Sequence, residues 1–348
     1  MSKTLTDLIT TARFNVRWFD LGRRVQPISK KTAEAFEEGA APWPSPYLRQ
    51  AWCGLLLWPA DDSTEGAPVV WFLQLPLDEQ GKLLLPIRDR FLKQLHQALY
   101  PQGNGSKDPG KYLQQALEDS GLVFTPAAEK RAVFHAKAAR VLKQPASDHY
   151  PAAKAYAKDP ASFPWDQLAL QGMADLAVRW EEERDALAAS LPRFAAPALI
   201  PLCQCLESEA IDHYLAEPLI RRAEKTLAED EPDLNLVTAI IRGVSHSIAT
   251  GMRQQFLLDV LQGVAGTHGE VLAAIGSRCH ADLEVPEIAQ LWLENLSASQ
   301  PQQTFNLLLT DLLFLPQQRN VLLGVLRNPQ RKESVARAFG EFLSPNGS

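Results

Sequence analysis

Asp233-Leu-Asn-Leu-Val-Thr-Ala-Ile-Ile-Arg-Gly-Val-Ser245 decides the fold. Leu236, Ile240 and Ile241 recur at helical spacing, Asp233 is an N-cap residue, and Gly and Ser close the stretch. Six similar stretches follow, so that helices are expected over 233–245, 251–263, 268–279, 286–297, 303–314, 317–326 and 331–343. Each carries one apolar stripe, among them Phe256, Leu257 and Val260, then Leu307, Leu308 and Leu312. Taken in pairs, the first members begin near 233, 268 and 303. One helical hairpin cannot bury such stripes alone, whereas stacked hairpins can. The pattern therefore predicts an α-solenoid of the HEAT or armadillo type; the competing expectation is an irregular helical bundle.

Upstream, helical signals extend back to about Asp89. Asp89 is expected to cap a helix bearing Phe91, Leu92, Leu95 and Leu99. Asp108-Pro109 opens another that Gly121 closes, and Thr125-Pro126 a third that carries Val133, Phe134 and Val141. Residues 145–164 have the composition of a linker. A helix capped near Asp166 should follow, with Leu168, Met173, Leu176 and Trp180 on its apolar face and a solvated tail over 181–185.

Residues 1 to about 90 have a different texture. Phe14, Val16 and Trp18 alternate with Arg13, Asn15 and Arg17, a period of two that marks a strand with one apolar and one basic face. Asp20-Leu-Gly22 is a turn, and Arg24 to Ile28 a short return strand that Pro27 confines to an edge or a strand end. A short helix over 31–38 and the Pro-rich 42–46 come next. Strands are expected over 51–58, 69–75 and 82–85, the last pair joined across Asp78-Glu-Gln-Gly81. The fold class is thus α+β, an N-terminal antiparallel β-meander of about five strands ahead of a mostly helical body. The expected division is 1–100 for the β-rich domain with its closing helix, 101–190 for a helical middle region and 191–348 for the repeats.

Composition narrows function. The chain has 348 residues, 46% apolar and 22% charged, and a formal net charge of -6. A mildly acidic globular chain is a poor candidate for nucleic-acid binding over its whole surface. The N-terminus carries no apolar signal segment and no stretch approaches a membrane span, which predicts a cytoplasmic protein with reduced thiols. Gly105 to Tyr112 fits G-x4-G-K but lacks the Ser or Thr that ligates Mg²⁺. Cys203-Gln-Cys205 lies in an apolar helical stretch and fits core thiols better than a zinc site, so neither metal nor cofactor is expected. Asp212-His213 and Ser245-His246 are neighbours in sequence, but adjacent helix residues point about 100° apart, so adjacency makes no dyad.

The segment from Arg13 to Arg24 is more suggestive. Residues 1–31 hold seven basic and two acidic side chains. Arg13, Arg17, Arg23 and Arg24, with Asp20 in the turn, form the candidate binding set, because guanidinium forks onto carboxylate or phosphate. The alternative is that Asp20 pairs with Arg23 or Arg24 and the rest cover exposed sheet.

The same segment resembles a family. Arg17-Trp-Phe-Asp-Leu-Gly-Arg-Arg-Val-Gln26, then Ile28, Phe36-Glu37 and Gln50-Ala-Trp-Cys-Gly54, look like the start of a bacterial domain-of-unknown-function family whose members have about this length. The resemblance implies a bacterial cytoplasmic protein and supplies no catalytic residues. The leading expectation is a non-catalytic protein–protein interaction module or scaffold whose partner is another bacterial protein, reached through an acidic segment. The alternatives are an enzyme assembled from Asp20, Arg23 and Arg24 with His213 or His246, and RNA binding through Arg13, Arg17, Trp18 and Arg24. Period two sets Trp18 on the face opposite Arg13 and Arg17, which counts against the last.

Overall fold

Thr4 opens the first element. Its hydroxyl accepts the Asp7 backbone N–H at 3.0 Å and caps α1 (Leu5–Thr11), a helix with no counterpart in the expectations above. The computed structural model describes residues 3–61, 67–99, 109–161 and 163–344. The chain divides into two units, Met1–Ala127 and Ala128–Ser348. With 17 α-helices and one four-stranded antiparallel sheet among the described residues, it is α+β.

In the first unit α1 leads to β1 (Phe14–Asp20), β2 (Gln26–Pro27), α2 (Lys30–Glu37), β3 (Gln50–Pro59), β4 (Val69–Pro76), α3 (Leu85–Leu99) and α4 (Pro109–Asp119). The sheet order is β2-β1-β3-β4, antiparallel throughout, with Trp18 opposite Leu55 and Leu55 opposite Trp71. The expected five strands are four. Between 77 and 83 only a single Leu77–Leu83 bridge forms. The turn is where it was expected: Asp78 Oδ1 accepts the N–H groups of Gln80 and Lys82, and Gly81 takes φ +76. The strand stops because Pro86 stands in the first turn of α3, which starts four residues before Asp89. Residues 122–124 take the vacant side of β4 instead, with Gln74 N donating to Leu122 O and Phe124 N to Phe72 O.

One sheet face is core. Trp18, Leu55, Leu57, Leu73 and Leu75 are buried there, as are Leu5, Leu8 and Ile9 of α1 and Phe91, Leu92 and Leu95 of α3. Trp43, from the Pro-rich stretch, packs edge-on against Phe36 at 4.9 Å.

The second unit holds α5 (Ala128–Val141), α6 (Tyr150–Lys158), α7 (Leu170–Val178), α8 (Arg184–Ser190), α9 (Ala196–Leu206), α10 (His213–Leu227), α11 (Leu234–Val244), α12 (Thr250–Gln262), α13 (Gly269–Arg278), α14 (Pro286–Ser299), α15 (Gln302–Leu313), α16 (Pro316–Arg327) and α17 (Glu333–Leu343). The seven helices read from 233 onward all form, with ends within about two residues of the expected ones. Three expectations are corrected. The linker contains α6, because Pro151 fits a first turn and Ala153, Tyr156 and Ala157 bury one face. Asp166 lies in a 3-10 turn, Trp165–Gln167, and α7 begins only at Leu170. In the tail taken as solvated, Glu183 is buried and pairs with Lys154.

Each helix of this unit packs against the next but one. α5, α7, α9, α11, α13, α15 and α17 touch in succession, and so do α6, α8, α10, α12, α14 and α16. Hydrogen bonds repeat the interval. Ser247 Oγ reaches Ile211 O, Arg242 Nε reaches Glu207 Oε2 and Gln302 Nε2 reaches Ala338 O, all between residues 35 or 36 apart. The close approach of α9 to α11 requires Gly243, where a Cβ would lie 3.0 Å from the Cβ of Cys203.

Candidate functional site

The five residues singled out near the N-terminus separate. Asp20 is buried; its Oδ1 accepts from Trp43 Nε1 at 2.9 Å and from Gly22 N at 3.3 Å. Arg23 is 1% exposed, donates from Nε to Pro46 O at 3.1 Å and sits over the Tyr47 ring. Both lie inside the first unit, so Arg23 is no part of a solvent-facing basic patch. Arg13, with φ +63, is exposed just before β1, and Arg17 and Arg24 are half-buried. Arg17 Nε is buried and has no hydrogen-bond partner among the described residues.

Alternation along the strands fixes what shares a face with Arg17. Trp18 falls on the core face, 3% exposed, and donates to Thr6 Oγ1 at 3.2 Å. On Arg17's own face the register sets Leu56 opposite it, with Trp58 two residues and Trp52 four residues from Leu56 along β3, and Val70 and Phe72 on β4. Trp52, Trp58 and Phe72 are half-buried. Trp52 is tied down by donation to Tyr47 O at 2.8 Å and by an edge contact with Phe124 at 4.8 Å. The sequence reading applied the period of two to β1 alone; applied to β3 and β4, it would have found these aromatics.

The first unit also has a cleft of about 650 Å³, lined by Lys3, Thr4, Leu8, Glu38, Arg88, Asp89, Leu92, Lys93 and His96. Arg88 pairs with Asp89 at 2.6 Å and donates to Glu37 O. The Glu37 carboxylate accepts from Leu5 N at 2.6 Å, Thr6 N at 3.1 Å and the Thr6 hydroxyl. Burial drives its pKa up to about 7, against the pull of those hydrogen bonds. Nothing in the spacing of these residues announced the cleft; its lining joins the start of α1, the C-cap of α2 and the middle of α3.

In the second unit the sequence neighbours Asp212 and His213 take different roles. Asp212 caps α10, accepting from Tyr214 N at 3.0 Å, while His213 is exposed with its ring 4.1 Å from that of Tyr214. Ser245 is buried in the α11–α12 connection. Cys53, Cys203, Cys205 and Cys279 are buried and form no disulfide, and burial pushes the thiols of the first three upward, away from the reactive thiolate. Among the described residues no cluster of three or more His, Cys, Asp and Glu side chains could hold a metal ion. Residues 105–108 of the G-x4-G-K stretch lie outside the described residues, and Pro109 to Tyr112 open α4. One buried polar constellation of this unit centres on Glu207, at the end of α9. Arg242 Nε meets its Oε2 at 2.7 Å and Arg278 Nε at 3.1 Å, which joins α9, α11 and α13. No described helix is long and apolar enough to cross a membrane.

Fold and site together define a two-unit α+β chain: a small sheet with an arginine and aromatics on the face opposite Trp18, followed by thirteen packed helices. The family model for proteins of unknown function designated DUF3549 matches residues 2–343, and the chain belongs to that family. None of the curated proteins and none of the solved structures compared with the chain matches it.

Proposed function

We propose that this protein is a non-catalytic protein–protein interaction module, and that α5–α17 form an α-solenoid of the HEAT or armadillo type. One observation carries the reading: the helices fall into two rows in which each contacts the next but one. Helix starts within the first row run 128, 170, 196, 234, 269, 302 and 333, a mean step of about 34 residues, within the range of helical-repeat proteins. In such a stack each unit meets only its neighbours, and the outer surfaces of the rows stay available to a partner along the length of the array. The partner is taken to be another cytoplasmic bacterial protein. The test is native capture of the tagged full chain, with hydrogen exchange of the complex against the chain alone. A stoichiometric protein that protects successive helices of one row supports the proposal; a chain without a companion, with unchanged exchange, refutes it.

A second reading, RNA binding, draws on Trp58 and Phe72, which share Arg17's face of the sheet, since aromatics on a sheet stack bases. It requires a retention on RNA that falls steeply with salt and that Trp58→Ala abolishes.

A further inference from the structure

We propose that the uncovered edge of β1, from Phe14 to Trp18, receives an extended acidic segment of a partner protein as an added strand. The inference concerns the first unit and does not depend on the helical surface proposed above.

Hydrogen-bond parity supplies the edge. Arg13 O accepts from Ala60 N at 3.0 Å and Leu21 N donates to Trp52 O at 2.7 Å, so the odd positions of β1 are the ones bonded toward β3. The even positions then turn their backbone groups to the opposite edge. There β2 covers only the far end. It pairs Gln26 with Asp20 and Pro27 with Phe19, and the last bond is Ile28 N to Trp18 O at 2.8 Å. The chain leaves the sheet at that point because Ser29 caps α2, accepting from Thr32 N at 3.1 Å. The outward N–H and C=O groups of Phe14 and Val16 consequently have no strand beside them among the described residues. An exposed edge of this kind is a template for strand addition.

Charge selects the occupant. Residues 1–31 hold seven basic and two acidic side chains in a chain of net charge -6. Arg17 lies between Val16 and Trp18 on this strand, its side chain on the sheet face opposite Trp18 and its Nε buried with no hydrogen-bond partner among the described residues. Arg13 is exposed just before the edge, and Lys30 and Lys31 are exposed where α2 begins, beyond β2. Two copies pairing through this edge would bring their arginines together, which disfavours self-association and favours a carboxylate-bearing strand.

The test uses the full chain and a fluorescein-labelled octapeptide that alternates Glu with Val, followed by anisotropy. Controls are the same peptide N-methylated at alternate residues, a Lys-for-Glu version, and a ten-nucleotide oligouridine. The expected result is saturable binding of the Glu peptide in the range of about 10–100 μM. N-methylation should weaken it about tenfold or more, because the ladder is blocked. Val16→Pro, which removes an outward N–H and leaves the β1–β3 ladder intact, should do the same. Arg17→Glu should weaken binding about tenfold and Arg17→Lys by no more than about threefold. Should Val16→Pro fail to fold, the N-methylated peptide with wild-type protein decides. Equal binding of the methylated peptide, no saturation, preference for the oligouridine, or a wild-type dimer that Val16→Pro dissociates would each overturn the proposal.

Discussion

Glu37 and Glu207 are both buried carboxylates, and their surroundings push them in opposite directions. Around Glu37, loss of solvent outweighs three hydrogen bonds and lifts the pKa to about 7. From pH 4.5 to 7 the folded chain therefore holds a proton that the unfolded chain has released. Stability from this group is complete below the unfolded value and is lost as pH rises through the folded one, up to about 3 kcal/mol in all. Thermal melts between pH 5 and 8 should show this decline in wild type and a shallower one in Glu37→Gln; identical slopes would contradict the assignment. Around Glu207, burial alone would raise the pKa, but Arg278 and then Arg242 overcome it and hold the carboxyl below its ordinary value. Its contribution is present above the unfolded value and disappears as the folded value is approached on acidification. Glu207→Gln leaves two partly buried guanidinium groups facing a neutral amide, and should cost about 3 kcal/mol in denaturant unfolding at pH 7.

At the scale of elements, close approach is the limiting quantity. A Cβ on Gly172 of α7 would lie 2.5 Å from His149 O, just before α6. Gly172→Ala should therefore destabilise the chain by about 1–3 kcal/mol, measured as a lower denaturant midpoint, although alanine is the better helix former. The last seven helices were legible because their apolar stripes have the helical period and their boundaries carry local signals. Asp233, for example, accepts from Asn235 N and Leu236 N. α6 was not legible: its proline and alanines have a linker's composition, and its burial of Ala153, Tyr156 and Ala157 depends on helices distant in sequence. The 82–85 strand failed for the converse reason, a correct local turn whose ladder was cut short by the next helix. Of the candidate site, the basic and apolar faces of β1 were visible in its alternation. The burial of Asp20 and Arg23 was not, because the groups that enclose them, Trp43, Pro46 and Tyr47, come from a stretch about 20 residues away.

For the molecule as a whole, two units with separate cores should unfold separately. Calorimetry is expected to resolve two transitions, with Glu207→Gln lowering one and Glu37→Gln altering the pH dependence of the other. A single transition displaced by both variants would contradict that division. The interaction reading rests on the second unit, where each of thirteen helices packs against the next but one. The most direct measurement is hydrogen exchange on the natively captured full chain. The account predicts a stoichiometric protein companion and protection running through successive helices of one row between α5 and α17. A chain recovered alone, or protection confined to the cleft lined by Arg88, Lys93 and His96, would contradict it and move the function to small-molecule chemistry in the first unit.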